Sequence, residues 1–255
     1  MASRAVALVA GIIDRLEDRP CRPGRPPLPT IEVVETLHSF VREGVQWRQP
    51  RAAAGRASGS TLRRRLDGRG ATALLRQVHV ALIRPVRAGP EVAAWDVVVD
   101  SCPARAEPGG EPTGPDPTDR GEAGTGYHVV VATDGLPPGV VPSAADVHDS
   151  RLFPCLPRPA RVVCAAIGRL CADAAYDSAA NRGPRLRDGI QPLIREVGQP
   201  HGSGPGTARC IVEHGCAWLL ADKRLDRRHD RLGRVILALL TAACAFVVAN
   251  RLDPF

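Results

Sequence analysis

Three acidic residues stand where a carboxylate could do chemistry. Asp100 ends the β-branched run "WDVVVD", and Asp173 ends the shorter run "RLCAD". Glu213 lies in "RCIVEHGCAWLL", where most of its neighbours are apolar. A carboxylate on a largely buried face is costly without a partner, and grouped carboxylates stay ionised only beside a cation. Hard oxygen ligands of this kind suit Mg²⁺ or Mn²⁺.

Two such ions, about 3.5–4 Å apart, activate an attacking water or hydroxyl and stabilise the leaving oxygen of an in-line phosphoryl transfer. The alternative is that a strand-end aspartate is a turn or cap residue, which is the commoner role. The stretch "LCADAAYDSAANRG" shows this ambiguity, because Asp173 and Asp177 stand four residues apart in it. Spacing alone leaves both roles open for each of the two residues.

The elements that would position these acids are strands and helices. Runs of β-branched residues predict strands, and an Asp-Gly pair predicts the turn that closes one of them. The predicted strands are 95–100, 126–135, 139–144, "RLCAD" and "IQPLI", and the helices that follow or separate them are 178–188, 209–225 and 231–250. The first three strands read as an antiparallel meander. Together these elements imply an α/β fold, a mixed sheet flanked by helices.

The N-terminal third is predicted to be helical. Thr30 is an N-cap candidate before an amphipathic helix, and Ser60 precedes a short helix that carries Arg63, Arg64 and Arg65. A third helix is expected over 71–87. Three helices with a short arginine-rich one in the middle fit a helix-turn-helix DNA-binding domain, and a small bundle with solvated arginines fits equally well.

Two segments punctuate this region. The Pro- and Arg-rich segment 19–29, "RPCRPGRPPLP", favours an extended arm, either a solvated linker or a DNA-contacting strand. Gly and Pro in "RAGPE", 87–91, mark a boundary. The predicted organisation is therefore a helical domain over 1–88 and a catalytic domain over 89–255.

Charge is distributed unevenly along the chain. Residues 1–90 hold 16 Arg and 7 acids, whereas residues 91–255 hold 18 Lys or Arg and 20 acids. The basic excess therefore belongs to the N-terminal third, as expected for a phosphate-binding module joined to a segment that is not basic as a whole.

Composition excludes several other classes of protein. The eight cysteines form no CxxC pair, which favours free, partly buried thiols over a zinc site or disulfides. The first 20 residues lack the pattern of a signal peptide. The longest apolar run, 235–248, is shorter than the about 20 residues that span a bilayer. These features predict a cytoplasmic protein, associated with the nucleoid if it binds DNA.

Several ordered motifs carry a resemblance that covers nearly the whole chain. They are "VVVDS" at 97–101, "GPDPTDRG" at 114–121, "HDSRLF" at 148–153, "ADAAYDS" at 172–178 and "RCIVEHGCAWLLADKRLDRRHDR" at 209–231, with "GRPPLP", the Trp47-Arg48 pair and the helix at 60–67 in the N-terminal part. In this order they resemble a bacterial insertion-sequence transposase of the DDE type.

The resemblance implies a ribonuclease-H-like core and assigns the acids. Asp100, Asp173 and Glu213 match the three catalytic acids, which would bind two Mg²⁺ or Mn²⁺ ions. Asp177 matches a residue at the start of the next helix, where it would be the N-cap. The implied reaction is cleavage at the ends of a mobile element with water, followed by attack of the exposed 3′ hydroxyl on target DNA.

The resemblance also implies supporting and DNA-binding residues. Arg209, four residues before Glu213, would share its helix face and orient the glutamate or bind phosphate, unless it forms a surface salt bridge. Trp218 would stack on a base or pack against the sheet. The remaining expected contacts to DNA are His214, Arg120, Arg63, Arg64 and Arg65. The expected partner is double-stranded DNA, bound by a homodimer.

Some positions depart from the family pattern. Glu122 and Gly126 stand where lysines are usual, His214 and Gly215 follow the third acid, and His229 replaces an aromatic residue. These changes predict a lower affinity for DNA. They leave open two alternatives to an active transposase, namely a decayed or repurposed copy that binds DNA without cutting it, and a metal-dependent nuclease without strand transfer.

Overall fold

Six strands form a mixed sheet in the computed structural model, which describes residues 3–17, 26–68, 70–86, 95–163, 166–195 and 206–252. The strands are β1 (Trp95–Arg105), β2 (Gly114–Pro115), β3 (Ala123–Ala132), β4 (Gly139–Ala144), β5 (Ile167–Ala172) and β6 (Gln191–Ile194). β3 pairs antiparallel with β1 along one edge and with β4 and β2 along the other. β5 pairs parallel with β1, and β6 pairs parallel with β5.

The described helices surround this sheet. They are α1 (Arg4–Leu16), α2 (Thr30–Glu43), α3 (Gly59–Asp67), α4 (Ala71–Val86), α5 (Asp149–Leu152), α6 (Pro157–Val163), α7 (Ala179–Arg187), α8 (Gly206–Leu220), α9 (Lys223–Asp226) and α10 (Gly233–Leu252). A single 3₁₀ turn, Ala174–Tyr176, follows β5. The predicted α/β class with a mixed sheet flanked by helices is confirmed.

The valine runs explain why the central strands form where they do. Val97, Val98 and Val99 of β1 are all buried, and so are Val129 and Val130 of β3. A strand that is buried on both faces is expected to be a continuous run of β-branched residues rather than an alternating one. The predicted antiparallel meander of β1, β3 and β4 is confirmed, and β1 continues five residues beyond Asp100.

The N-terminal helices agree in position with the prediction and differ at their starts. Ser58, and not Ser60, caps α3, because its Oγ accepts a hydrogen bond from the Thr61 amide at 3.2 Å. Thr30 is the first residue of α2, and Pro29 precedes it without a side-chain cap. Helix α1 was not predicted, although its buried Val6, Val9 and Ile13 recur at helical spacing.

Helix α10 corrects the expectation drawn from the apolar run at 235–248. The helix has 20 residues and is long and apolar enough to cross a membrane. However, 72% of its most apolar 18-residue stretch is buried inside the protein. It packs against α1, α2, α3, α4 and β4. Its hydrophobicity is therefore that of a core helix, which is buried nearly all round.

The buried residues of the N-terminal helices and of the sheet form one continuous cluster, joined by α10. The predicted domain boundary at 88/89 falls in 87–94, outside the described residues, as do residues 19–25 of the predicted arm. The six cysteines in the described part of the chain are free, in agreement with the predicted thiols.

His79 of α4 is a titratable group within this core. Its ring is 4% exposed. Burial lowers the pKa of His79 to about 4, and a hydrogen bond with the Pro137 backbone opposes that shift. The folded protein therefore holds His79 neutral, while the unfolded chain protonates it near the ordinary pKa of 6.5.

We expect the free energy of unfolding to lose about 3 kcal/mol from this group as the pH falls from about 6.5 to about 4. The contribution is complete above the unfolded pKa, because the neutral ring is the folded form. Urea unfolding of the wild type and of His79→Leu at about pH 7 and about pH 4.5 isolates it, since all other groups titrate in both proteins. An identical pH dependence in the two proteins would show that His79 is not held neutral.

Candidate active site

The register of β1 and β5 brings two of the predicted acids together. Val97 pairs with Leu170 and Val98 with Cys171 in parallel. Asp100 follows Val98 by two residues within β1, and Asp173 follows Cys171 by two residues, just after the end of β5 at Ala172. Continuing the register therefore places Asp100 beside Asp173. Neighbouring strands lie about 4.8 Å apart, and alternate side chains share a face, so both carboxylates lie on the face of Val98. The middle of β1 and the residue after β5 therefore carry a pair of adjacent aspartates.

The backbone holds each carboxylate of this pair. Oδ1 of Asp100 accepts a hydrogen bond from the amide of Ser101 at 2.8 Å. Oδ1 of Asp173 accepts one from the amide of Ala175 at 3.0 Å and so caps the 3₁₀ turn. Asp173 is thus a capping residue through one oxygen, and this bond fixes the direction of its carboxylate.

The predicted N-cap role of Asp177 is wrong. Ser178 caps α7, since its Oγ accepts from the Asn181 amide at 3.2 Å. Oδ1 of Asp177 instead accepts a hydrogen bond from Nε of Arg182 at 2.8 Å. The ion pair holds Asp177 on the helix and gives it a role different from that of Asp173.

Glu213 lies on α8, which packs against β1 and β3. Cys216, one turn later on this helix, hydrogen-bonds with Cys102, and this contact raises the pKa of the Cys102 thiol. Because Cys102 and Asp100 are two residues apart in β1, α8 covers the sheet face that carries Asp100. The Glu213 side chain itself is exposed, contrary to the expectation of a largely buried carboxylate.

The donor set fits a hard cation in part. Asp100 and Asp173 supply adjacent carboxylates of the kind that Mg²⁺ and Mn²⁺ prefer. Within the described ranges, however, no group of three or more His, Cys, Asp or Glu side chains is arranged so that it could hold a metal ion. The structure therefore brings Asp100 and Asp173 together and leaves Glu213 outside that group.

A further carboxylate, Asp149, was not predicted. Its Oδ2 accepts a hydrogen bond from Oγ of Ser101 at 2.8 Å, and its Oδ1 lies 3.6 Å from Nδ1 of His128. Burial raises the pKa of the Tyr176 hydroxyl most, followed by the negative charges of Asp149, Asp100 and Asp173, so Tyr176 lies near these acids. The signal that could have found Asp149 is its place in the motif "HDSRLF".

Two comparisons with known proteins identify the family of the chain. The family of the transposase DDE domain matches residues 93–203. A Burkholderia cepacia protein named "Putative transposase for insertion sequence element IS402" is 34% identical over 155 residues, which are 55% of this chain and 70% of that protein. The chain belongs to the DDE transposases of insertion sequences. Such domains generally use divalent metal ions.

The matched region of the transposase contains Asp100, Asp173 and Asp149 and ends before Glu213. Arg209 lies in the first turn of α8, and its side chain is outside the described residues. His214 is exposed on the next turn, with its ring 6.5 Å from that of Trp218.

Trp218 of the transposase lines a cavity of about 290 Å³ between α2, α8 and α10. The guanidinium of Arg251 lies 4.9 Å from the centroid of the Trp218 ring. On another side, the ring lies close to the Gly135 turn that follows β3. Trp218 therefore packs at the end of the sheet and also borders an open space.

The predicted DNA-binding arginines of the transposase lie in two places, one in a turn of the sheet and three on α3. Arg120 is exposed in the turn between β2 and β3, where its φ of 54° is left-handed. On α3, Arg63 and Arg64 are exposed, while Arg65 lies 3.7 Å from Glu17. The structure does not place these arginines in one group with Asp100.

Proposed function

We propose that this transposase cleaves the ends of an insertion element and joins them to target DNA by phosphoryl transfer at the Asp100 and Asp173 pair. The observation that carries the proposal is the parallel register of β1 and β5, which sets these acids side by side. Glu213, on the helix over the same sheet face, is proposed as the third acid. Three antiparallel strands followed by two parallel ones support a ribonuclease-H-like core.

Asp100 and Asp173, with Glu213, would hold Mg²⁺ or Mn²⁺, as two ions. When bound, such ions lower the pKa of an attacking water or hydroxyl and neutralise charge on the leaving oxygen. The protein itself contributes by positioning the acids. The Ser101 and Ala175 amides donate hydrogen bonds that fix the two aspartates before any substrate binds. Preorganised charge of this kind supplies most of the catalysis in phosphoryl transfer.

The DNA interface is proposed to lie in part on a cleft that joins α3 to the chain before α10. Its lining includes Arg63, Trp47, His229 and Arg231, in a volume of about 190 Å³. Its two acids are already paired: Nε of Arg234 donates to Asp67 at 2.8 Å, and Nε of Arg224 donates to Asp230 at 3.0 Å.

The charges of Arg63 and Arg231 are therefore available to DNA phosphates, with the neighbouring Arg64 outside the cleft. This cleft supports the proposed helical DNA-binding part, 1–88, with helix-turn-helix character, which would act together with the catalytic part, 89–255. Two element ends take part in one joining reaction, so a homodimer on cytoplasmic, nucleoid-associated DNA completes the proposal.

Arg63→Gln and Arg231→Gln are each expected to weaken DNA binding uniformly across sequences. The plot of log affinity against log salt concentration has a negative slope, and the loss of one phosphate contact makes this slope shallower by about 0.9. Fluorescence anisotropy over a salt series measures both quantities. Arg161→Gln, which changes an exposed arginine on α6, is the control. Salt slopes equal to that of the control would exclude the cleft from the interface.

The experiment that tests the function uses purified protein, Mg²⁺ or Mn²⁺, and DNA that carries the sequences flanking the gene. Metal-dependent nicking at the element ends supports a transposase. Binding without nicking favours the decayed or repurposed copy. Two exposed residues are consistent with that alternative: Glu122 stands where a lysine is usual, and His229 stands where an aromatic residue is usual. Nicking without joined products favours the nuclease alternative.

A further inference from the structure

Asp149 is the first residue of the short helix α5, in the motif "HDSRLF". A hydrogen bond holds it to β1, and it lies beside β3. Oγ of Ser101, next to Asp100 in β1, donates to Asp149 Oδ2 at 2.8 Å. The imidazole of His128 in β3, opposite Ser101 in the sheet, lies 3.6 Å from Asp149 Oδ1. Asp149 therefore joins α5 to β1 by a hydrogen bond and contacts β3.

His128 is itself fixed in the sheet. It is 1% exposed, and its Nε2 is 2.7 Å from Oγ of Ser143 in the neighbouring strand β4. The Ser143 hydroxyl donates to the Ala144 carbonyl at 3.0 Å, so Nε2 of His128 is the donor to Ser143. The His128 ring beside Asp149 is thus held from β4, while its Nδ1 has no hydrogen-bond partner among the described residues.

The same short helix is joined to the turn that carries Asp173. Nδ2 of Asn181 donates both to the Ser150 carbonyl at 3.1 Å and to the Tyr176 carbonyl at 2.9 Å. The rings of Phe153 and Tyr176 pack at 5.5 Å between centroids. Movement of α5 would therefore move the turn Ala174–Tyr176 that Asp173 caps.

Tyr176 lies close to the same groups. Its side chain is fully buried. Burial raises the pKa of its hydroxyl most, followed by the charges of Asp149, Asp100 and Asp173, while an interaction with the Ser101 side chain lowers that pKa. The Ser101 side chain that binds Asp149 therefore also lies near Tyr176.

We propose that Asp149 is a positioning residue for the phosphoryl transfer: by accepting a hydrogen bond from the Ser101 hydroxyl it fixes the part of β1 that carries Asp100, while α5 fixes the turn that follows Asp173. The inference rests on the proposed function of the Asp100 and Asp173 pair. Residues that orient such acids typically change metal affinity or activity 10- to 100-fold, roughly, when replaced.

The variants separate a hydrogen-bonding role from a role of the charge. Asp149→Ala and Ser101→Ala each remove the bond, and each is expected to lower the single-turnover nicking rate about 10- to 100-fold without changing DNA affinity. Asp149→Asn keeps an acceptor for Ser101 and is expected to restore most of the rate. The double Ala variant is expected to be no worse than the poorer single one, because both changes break one interaction.

Asp146→Asn is the matched control, since it removes a carboxylate from an exposed position of the preceding loop. A second readout without DNA is Mn²⁺ binding followed by electron paramagnetic resonance, where Asp149→Ala is expected to raise the half-saturating concentration about tenfold. Thermal unfolding of every variant is measured in parallel, and the rates are compared well below the unfolding temperature.

The inference is overturned if Asp149→Ala keeps wild-type rate and Mn²⁺ affinity, or if Asp149→Asn is as impaired as Asp149→Ala. Loss of thermal stability without either functional change also overturns it. A wild type that binds Mn²⁺ in an Asp149-dependent way but cuts no DNA would contradict the proposed function and leave the inference standing. A wild type that neither binds Mn²⁺ nor cuts DNA would contradict both.

Discussion

Asp173→Asn is expected to lower the rate of DNA cleavage by roughly 10³-fold, since a catalytic metal supplies several kcal/mol of transition-state stabilisation and depends on its charged ligands. Asparagine preserves the size of the side chain and its acceptor for the Ala175 amide, so the 3₁₀ turn is kept. The loss then reports the charge of the carboxylate and not the fold.

Asp177→Asn is the matched control for this prediction. It lies four residues away in the same segment, and its carboxylate is paired with Arg182. Such a pair near the surface contributes about 0–1 kcal/mol, so cleavage is expected to stay close to the wild-type rate. Single-turnover nicking of end-labelled DNA measures both variants. Equal losses in Asp173→Asn and Asp177→Asn would remove the distinction between the two acids.

Asp100→Asn is expected to match Asp173→Asn, because the two residues occupy equivalent positions of adjacent strands. Glu213→Gln is expected to act in the same direction. Its exposed position on α8 means that the helix or its side chain must come closer to the pair for catalysis. Wild-type cleavage by Glu213→Gln would assign the third acid to another residue.

Arg224→Ala is expected to lower the free energy of unfolding by about 3–5 kcal/mol, the cost of leaving a buried charge without its partner. Arg224 is 2% exposed. Its Nε and Nη2 donate to the two oxygens of Asp230, each at 3.0 Å, and its Nη1 donates to the Val45 carbonyl at 2.9 Å. Its guanidinium also lies 4.5 Å from the centroid of the Phe40 ring.

The same cluster includes Trp47, whose Nε1 donates to Oδ1 of Asp230 at 2.8 Å. It therefore ties the N-terminal helices to the chain after α8, and its loss would loosen the joint between the two proposed parts. Trp47, from the Trp47-Arg48 pair, and Arg224, from the motif at 209–231, therefore have a structural role.

Urea unfolding measures this prediction, with Arg234→Ala as the control. Arg234 pairs with Asp67, but its side chain is 54% exposed, so its loss is expected to cost about 0–1 kcal/mol. Replacing both partners, as in Arg224→Met with Asp230→Leu, is expected to be milder than Arg224→Ala, because no buried charge is left unpaired. An Arg224→Ala protein as stable as Arg234→Ala would contradict the account.

Local pattern was sufficient to predict five of the six strands of the sheet, all except β2. Uninterrupted valines in β1 and β3 leave few alternatives to buried strands, and the Asp134-Gly135 turn closes β3 where expected, with Gly135 at a φ of 85°. From these strands alone, however, neither the parallel register of β1 with β5 nor the adjacency of Asp100 and Asp173 follows, because register depends on contacts distant in sequence.

On α8, the sequence pattern was misleading about the roles of Gly215 and Glu213. Glycine normally weakens a helix, yet a Cβ at Gly215 would lie 2.6 Å from Cγ2 of Val131, so the glycine permits close approach of α8 to β3. Glu213 has apolar neighbours in sequence but points to solvent, since a helix next to a sheet buries only one of its faces. Asp149 has no local signal of its own beyond its motif.

The most direct test of the central claim is a strand-transfer assay with the wild-type chain, DNA bearing the element ends, a target plasmid and Mg²⁺ or Mn²⁺. We predict cleavage that exposes a 3′ hydroxyl at the element end, and joined products that carry this end in the target, both absent with Asp100→Asn. Joined products that persist with Asp100→Asn, or bound DNA that the wild type leaves uncut, would contradict the account.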